Sequence, residues 1–306
     1  MRTGVRLCPS MVQADKGLNA APLVTIAIPC HNEVDSLANV LAGIAVQRGG
    51  TRDLEIVLVD NNSDDPRLDA LVRRYSATLE LRFVRQPLLD HPMSLCRARN
   101  RALGLARGTW FWTLDSDCIP NPGYMAVLRR ALNKRREPRL MLTGERIFID
   151  GAGLTEGEIL GGNGRLASMP RVRSAANYGI LRDRRFPSVR YLPEVEHPWD
   201  HMHGGNSCFR TAVAREVGGY DEGFDGNWGY EDDEFAYRMI SCGGGVPGFE
   251  PGLTVYHQEP TSPPSYDRLE KEANPNWHRV CSAIPGYREY KIAVYTRRGV
   301  GIRVGV

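Results

Sequence analysis

Between residues 23 and 114 the chain alternates short apolar, β-branched runs with segments whose apolar residues recur at helical spacing. Leu23-Val24-Thr25-Ile26-Ala27-Ile28-Pro29 reads as a buried strand closed by proline, and Val34, Leu37, Val40, Leu41 and Ile44 then predict an amphipathic helix. Leu54 to Asp60 is a second strand, stopped by the polar turn 61–66. A helix over Leu68 to Tyr75, a strand over Leu81 to Val84, a helix from Ser94 to Ala106 and a strand from Thr109 to Leu114 complete the series. Strands separated by helices return in parallel, so the alternation predicts an α/β fold with a mostly parallel sheet covered on both faces. Ligands of such sheets sit at the carboxyl ends of the strands. Pro29, Asp60 and Asp115 fall at those ends.

The pattern loosens after Asp150. Residues 151–203 are rich in Gly, Pro and Arg without a steady period and predict long loops around a site. Most of the arginines there (Arg165, Arg171, Arg173, Arg182, Arg184, Arg185, Arg190) read as solvated surface. Order returns as a helix over Thr211 to Val217, a helix over Asp232 to Ser241 ended by Gly243-Gly244-Gly245, and a short strand over Leu253 to His257. The expected division is an extension over 1–21, a nucleotide-binding half over 22–150, an acceptor and catalytic half over 151–260, and a tail or lid over 261–306.

Bulk properties exclude several classes. A net charge of +3 over 306 residues does not suit a nucleic-acid-binding surface. Only Lys16, Lys134, Lys271 and Lys291 of the 39 basic residues are lysine, and the arginines that make up the rest are the better forks for phosphate. The seven cysteines form no CxxC pair, which argues for free thiols in a reducing compartment. No run of about 18 apolar residues predicts a membrane span, and 1–21 does not read as a signal peptide. The expected setting is cytoplasmic, with contact to a membrane through the acceptor at most.

Five features are candidates to carry chemistry. Asp115-Ser116-Asp117 leaves an apolar strand, and two carboxylates so placed can hold a hard divalent cation, although most such pairs are turns or caps. Gly223-Phe224-Asp225-Gly226-Asn227-Trp228-Gly229-Tyr230-Glu231-Asp232-Asp233-Glu234-Phe235 sets a tryptophan among glycines ahead of four acids. It is either an exposed acidic helix start or a site where a carboxylate works as a base. His257 closes a short strand and is either structural or a third metal ligand. Asp60 offers an Asx-type turn or an acceptor for a nucleobase or ribose. Arg97, Arg99 and Asn100 are helix surface or a phosphate contact.

The segments Val24–Glu33 and Ile56–Asp65, followed by Arg97-Ala98-Arg99-Asn100-Arg101-Ala102-Leu103 with Gly108, resemble the opening of the inverting glycosyltransferases of family 2. Gly204–Phe209, Val217–Glu222 and Trp228–Asp233 are similar to the galactosyl- and N-acetylgalactosaminyltransferase type of carboxyl-terminal half, as joined in bacterial chondroitin-polymerase-type domains. The resemblance covers about residues 22 to 260 and implies a GT-A fold, a UDP-sugar donor, Mn2+ or Mg2+, and a glycan, lipid-linked or small-molecule acceptor. It implies that Asp60, Glu33 and Pro29 line the uridine pocket, with Arg97 or Arg99 helping to hold the nucleotide. Asp117 and His257 are implied as metal ligands, and Asp115 as near the ribose or metal. Gly205, Trp228 and Glu231 match positions around donor sugar and acceptor, and Asp232 matches the catalytic base. Two positions depart from the pattern: Tyr230 replaces the usual second glycine, and Asn61 replaces the common aspartate after Asp60.

Two rival readings predict other features. A sugar-nucleotide-forming nucleotidyltransferase would carry a glycine-rich phosphate loop and a lysine after the first strand, where this chain has Pro29-Cys30-His31-Asn32-Glu33. A non-catalytic carbohydrate-binding protein on the same fold would have lost the acidic motifs or His257, and all are present.

Overall fold

A computed structural model describes residues 21–87, 94–162, 164–172, 194–259 and 274–297. β1 (Val24–Cys30), α1 (Val34–Ala45), β2 (Leu54–Asp60), α2 (Arg67–Ser76), β3 (Leu81–Arg85), α3 (Leu95–Leu105) and β4 (Trp110–Leu114) occur in the predicted order, their ends within a residue or two of prediction. Then come β5 (Cys118–Pro120), α4 (Tyr124–Lys134), β6 (Leu140–Thr143), β7 (Arg146–Asp150), α5 (Glu156–Leu160) and α6 (Arg165–Ser168). After these lie β8 (Asn206–Arg210), α7 (Thr211–Glu216), α8 (Glu231–Ser241), β9 (Val246–Phe249), β10 (Val255–Glu259), α9 (Pro275–Ala283) and α10 (Tyr287–Arg297).

The main sheet has the order β3-β2-β1-β4-β8-β6-β9. Its pairs are parallel except where β8 runs antiparallel between β4 and β6. Every residue of β1 and β2 is buried, as strands covered on both faces require. Side chains alternate between two apolar layers. Ile26, Ile28, Trp112 and Leu114 pack with α1 and α4, whereas Ala27, Val57, Val59 and Phe111 pack with α3, α8, α9 and α10. Fully burying each Leu, Ile or Val contributes about 1.5–3 kcal/mol, so these two layers hold the sheet between its helices. The strand order reverses direction between β1 and β4, the kind of switch point at which open sheets form a ligand crevice.

A second sheet, β5-β10-β7, stands beyond the end of β4. Within the segment expected as loops the described residues include short helices: α5 starts with a capping box between Thr155 and Glu158, α6 follows, and Pro198–His201 form a 3-10 turn. Arg165 pairs with Glu158 at 3.3 Å and Arg171 lies over the Tyr256 ring, while Arg173, Arg182, Arg184, Arg185 and Arg190 lie outside the described residues. Of the tail, residues 274–297 form the α9–α10 hairpin, which buries Trp277, Tyr287 and Tyr295 against the α8 side of the core.

Candidate active site

The site grows from the end of β4. The chain leaves the strand at Asp115, passes Ser116 and Asp117, and enters β5, which pairs antiparallel with β10 so that Cys118 faces His257 across the ladder. The Gln258 N–H donates to the Asp117 carbonyl at 3.0 Å and closes the register. Asp117 Oδ2 then lies 3.2 Å from His257 Nε2, and Glu259 Oε1 lies 3.3 Å from Nδ1. Burial alone would push the imidazole down, but Asp117 and Glu259 outweigh it and raise the His257 pKa. Among the described residues Asp117 Oδ1 is buried with no hydrogen-bond partner, and carboxylate, Cys118 Sγ and His257 nitrogen all lie within 4.8 Å of one another. An orphaned carboxylate oxygen beside a nitrogen and a sulfur suits a divalent cation.

On the other wall of the crevice α3 carries Arg99, which is 2% exposed. Its Nη2 donates to Asp115 Oδ1 at 3.1 Å and its Nη1 to Glu231 Oε1 at 3.0 Å. The turn before β8 passes so close that a Cβ on Gly204 would meet Arg99 Nη2 at 2.3 Å, and one on Gly205 would meet Asp115 Oδ2 at 2.6 Å. A side chain at either position would have to displace the group it faces. Gly204 N–H donates to Asp232 Oδ2 at 2.8 Å.

Asp232 lies in the first turn of α8, where four consecutive acids meet the positive end of the helix dipole. Tyr230 caps that helix at φ 75°, the left-handed conformation that glycine adopts most readily. This gives a physical reason for the usual glycine there. Its ring packs edge-on to Trp277, 5.6 Å between centroids, which offsets the backbone strain. Glu231 is buried on Arg99; burial first, then the Asp232 charge, push it up to about 8. Asp233 is buried on the opposite side, where the Tyr287 hydroxyl donates to it and Lys291 Nζ sits 2.8 Å away. Burial raises its pKa against the pull of Lys291. Asp232, half-buried, lines a small cavity with Met202, His203, Gly204, Tyr220 and Phe235.

The remaining predicted residues spread around the ends of β1, β2 and β4. Asp60 is fully buried; Ser63 N–H donates to its Oδ1 at 2.9 Å and Arg85 Nε to its Oδ2 at 3.1 Å, so the Asx-type turn is present. Pro29 is buried in β1 beside Val59. Glu33 is exposed as a residue, yet its carboxyl is crowded by the Ser116 hydroxyl, which donates to it, and by Asp117. Its proton senses that crowding: desolvation, then Asp117, push it up to about 7. Arg97 is half-buried, and among the described residues its guanidinium makes no hydrogen bond. Trp228 is 42% exposed, and its carbonyl accepts from Asn274 Nδ2 at 2.9 Å. Asp115 is drawn into both walls: burial raises its pKa, Arg99 opposes, and both Asp117 and Asp232 raise it further.

Sequence reading missed Cys118, Asp200, Asn276 and Lys291. Asn276 Nδ2 reaches the carbonyls of Phe224, Asn227 and Gly229 at 2.8, 3.1 and 3.1 Å and so ties the tryptophan loop to α9. The order Asn274-Pro275 is a helix-start signal, an Asn cap ahead of proline at the first helical position, and would have located α9. Nothing in the sequence marks Lys291 as the partner of Asp200 and Asp233.

Residues 25–156 match glycosyl transferase family 2, and residues 184–258 match the N-terminal domain of galactosyltransferase. The chain is 28% identical over 246 residues to a chondroitin synthase of Escherichia coli, covering 78% of this chain and 35% of that protein. It is 29% identical over 235 residues to a hyaluronan synthase of Pasteurella multocida, covering 72% and 23%. The chain thus spans about a quarter to a third of the length of these relatives. In fold it is similar to S. aureus TarS 1-349 in complex with UDP-GlcNAc, with a TM-score of 0.59 at 15% identity over 84% of this chain and 64% of that one. It is also similar to GalNAc-T7 with UDP, GalNAc and Mn2+, with a TM-score of 0.59 at 22% identity over 92% and 51%.

Fold and sequence together define a glycosyltransferase of the GT-A type. The chain carries a family 2 glycosyltransferase domain joined to a galactosyltransferase-type segment, and is homologous to chondroitin synthases and N-acetylgalactosaminyltransferases.

Proposed function

We propose that the chain transfers a hexose or N-acetylhexosamine from a UDP-sugar to an acceptor hydroxyl with inversion, with Asp232 as general base. The observation that carries this reading is the unequal placement of three neighbouring acids. Glu231 pairs with Arg99 and Asp233 with Lys291 on either side, and of the three it is Asp232, held by Gly204 N–H, that lines the cavity. The UDP-GlcNAc held by TarS, and the UDP, GalNAc and Mn2+ held by GalNAc-T7, support the donor class.

In the reaction the acceptor oxygen attacks the anomeric carbon and passes its proton to Asp232, while the bond from that carbon to the diphosphate breaks and UDP departs. No covalent enzyme intermediate is needed. Gly204 N–H orients the base. Asp117 and His257, with Asp115 nearby, would hold a divalent cation, Mn2+ or Mg2+, which when bound would offset charge on the departing diphosphate. Asp60, Glu33 and Pro29 line the uridine side of the crevice, and Arg97 is the guanidinium available to the nucleotide. Gly205 and Trp228 border the sugar, where an exposed indole stacks on it and excludes water. The acceptor is a glycan, a lipid-linked sugar or a small molecule, and residues 151–260 shape its site. Among the described residues no helix is long and apolar enough to cross a membrane. A cytoplasmic reaction that meets a membrane only through its acceptor belongs to the same proposal.

The test is a screen of UDP-sugars for hydrolysis and transfer, with and without Mn2+, in the parent chain and in Asp232→Asn. Loss of a general base should lower turnover by about 10²- to 10⁴-fold, because the amide still accepts the Gly204 hydrogen bond but takes no proton. Turnover that tolerates this substitution, or survives removal of the metal, overturns the scheme.

A further inference from the structure

Cys118 occupies a position that the transfer reaction does not use. It opens β5, is fully buried, and pairs across the antiparallel ladder with His257. Directly opposed residues of such a ladder project to the same face, a few ångströms apart. Asp117 stands at the strand entry, where the turn from β4 sends its carboxylate toward the same place. A tetrahedral cation with bonds of 2.0–2.3 Å has donor atoms roughly 3.3–3.8 Å apart, so the set at Asp117, Cys118 and His257 needs to close by only about an ångström. The buried Asp117 oxygen that lacks a hydrogen bond completes the case for a ligand between them.

We propose that Cys118 is a third protein ligand of the divalent cation at Asp117 and His257. This rests on the metal reading above and deepens it. An oxygen, a nitrogen and a sulfur make the site softer than a carboxylate–imidazole pair and favour Zn2+ and Co2+ over Mg2+. Binding exchanges the thiol proton for the metal: the S–H bond breaks, the S–metal bond forms and the proton leaves to solvent. A bound divalent cation favours the coordinating thiolate over the thiol. The competing description is a buried thiol that only fills the layer between β5 and α1.

The experiment titrates the full metal-free chain with Co2+, in a background where the exposed Cys242 and half-buried Cys281 are alanine. Visible d–d bands report binding, and a near-ultraviolet thiolate-to-Co2+ charge-transfer band reports sulfur. Both should appear, saturating together. Cys118→Ala should lose the charge-transfer band while keeping the d–d bands, with Zn2+ affinity reduced roughly 10- to 100-fold or more, since even outer-shell losses reach that range. A d–d spectrum without charge transfer in the parent, or charge transfer retained in Cys118→Ala, removes Cys118 from the site and leaves the metal reading standing. Absence of Co2+ binding defeats both. Should Cys118→Ala not fold, X-ray absorption on the Zn2+-loaded parent decides: one sulfur neighbour supports the assignment, and nitrogen and oxygen alone overturn it.

Discussion

Arg99 holds Glu231 from inside the protein: a guanidinium 2% exposed sits 3.0 Å from a carboxylate in the first turn of α8, while its other nitrogen holds Asp115 at the end of β4. One buried cation therefore couples the two walls of the crevice. Removing one member of a buried pair leaves uncompensated charge and costs about 3–5 kcal/mol. Arg99→Met should lower stability by that order in urea unfolding. Arg99→Lys, which keeps the charge but cannot fork to both carboxylates, should fall between. A Met variant as stable as the parent would show that the bridge contributes nothing.

The adjacent glycines should differ in what they disturb. Gly204→Ala drives a methyl into buried Arg99, which has no room to move, and should cost about 1–3 kcal/mol. Gly205→Ala meets the end of the Asp115 side chain, which retains contact with solvent and can turn away. It should change stability less and turnover more. Melting temperatures set beside kcat for the two variants check the order.

Stability should depend on pH through Glu231. The unfolded carboxyl titrates near 4.3 and the folded one at about 8. Between those values the folded chain holds a proton that the unfolded chain has lost, so this contribution is present at acid pH and disappears as pH rises through 8. Glu33, at about 7, and Asp115 and Asp233 shift in the same sense. The melting temperature should therefore fall from about pH 5 to about pH 9, and the fall should be shallower in Glu231→Gln. Parallel profiles for the two proteins contradict this.

Lys291 should matter although it lies far from the acidic motifs in sequence. Its ammonium is buried between Asp200 and Asp233, and Tyr290 and Tyr287 donate to the same two carboxylates. Lys291→Met leaves two buried acids facing each other and should destabilise by about 3–5 kcal/mol. In a double-mutant cycle, adding Asp200→Asn should recover part of that loss. Strict additivity would mean that the two side chains do not interact.

The order of elements from β1 to β4 was legible in the sequence because it rests on local periodicity: a strand buried on both faces must be apolar throughout, and a covering helix must be apolar at 3.6-residue spacing. Asp60 and Asp115 were legible as strand-end residues for the same reason, and the Gly-Trp-acid motif stood out because no regular interior tolerates it. The short strands β5, β6, β7, β8 and β9 were not legible, since three to five residues carry too little periodicity to be told from loop. Which of Glu231, Asp232 and Asp233 faces the cavity was decided by Arg99 on one side and by Lys291 on the other, both distant in sequence. The pairing of Cys118 with His257 was decided by an antiparallel register between strands more than a hundred residues apart. Hydrophobic periodicity is a property of neighbours along the chain, whereas a partner for a buried charge, or a donor atom across a ladder, is a property of packing, and only the folded chain brings those atoms within reach.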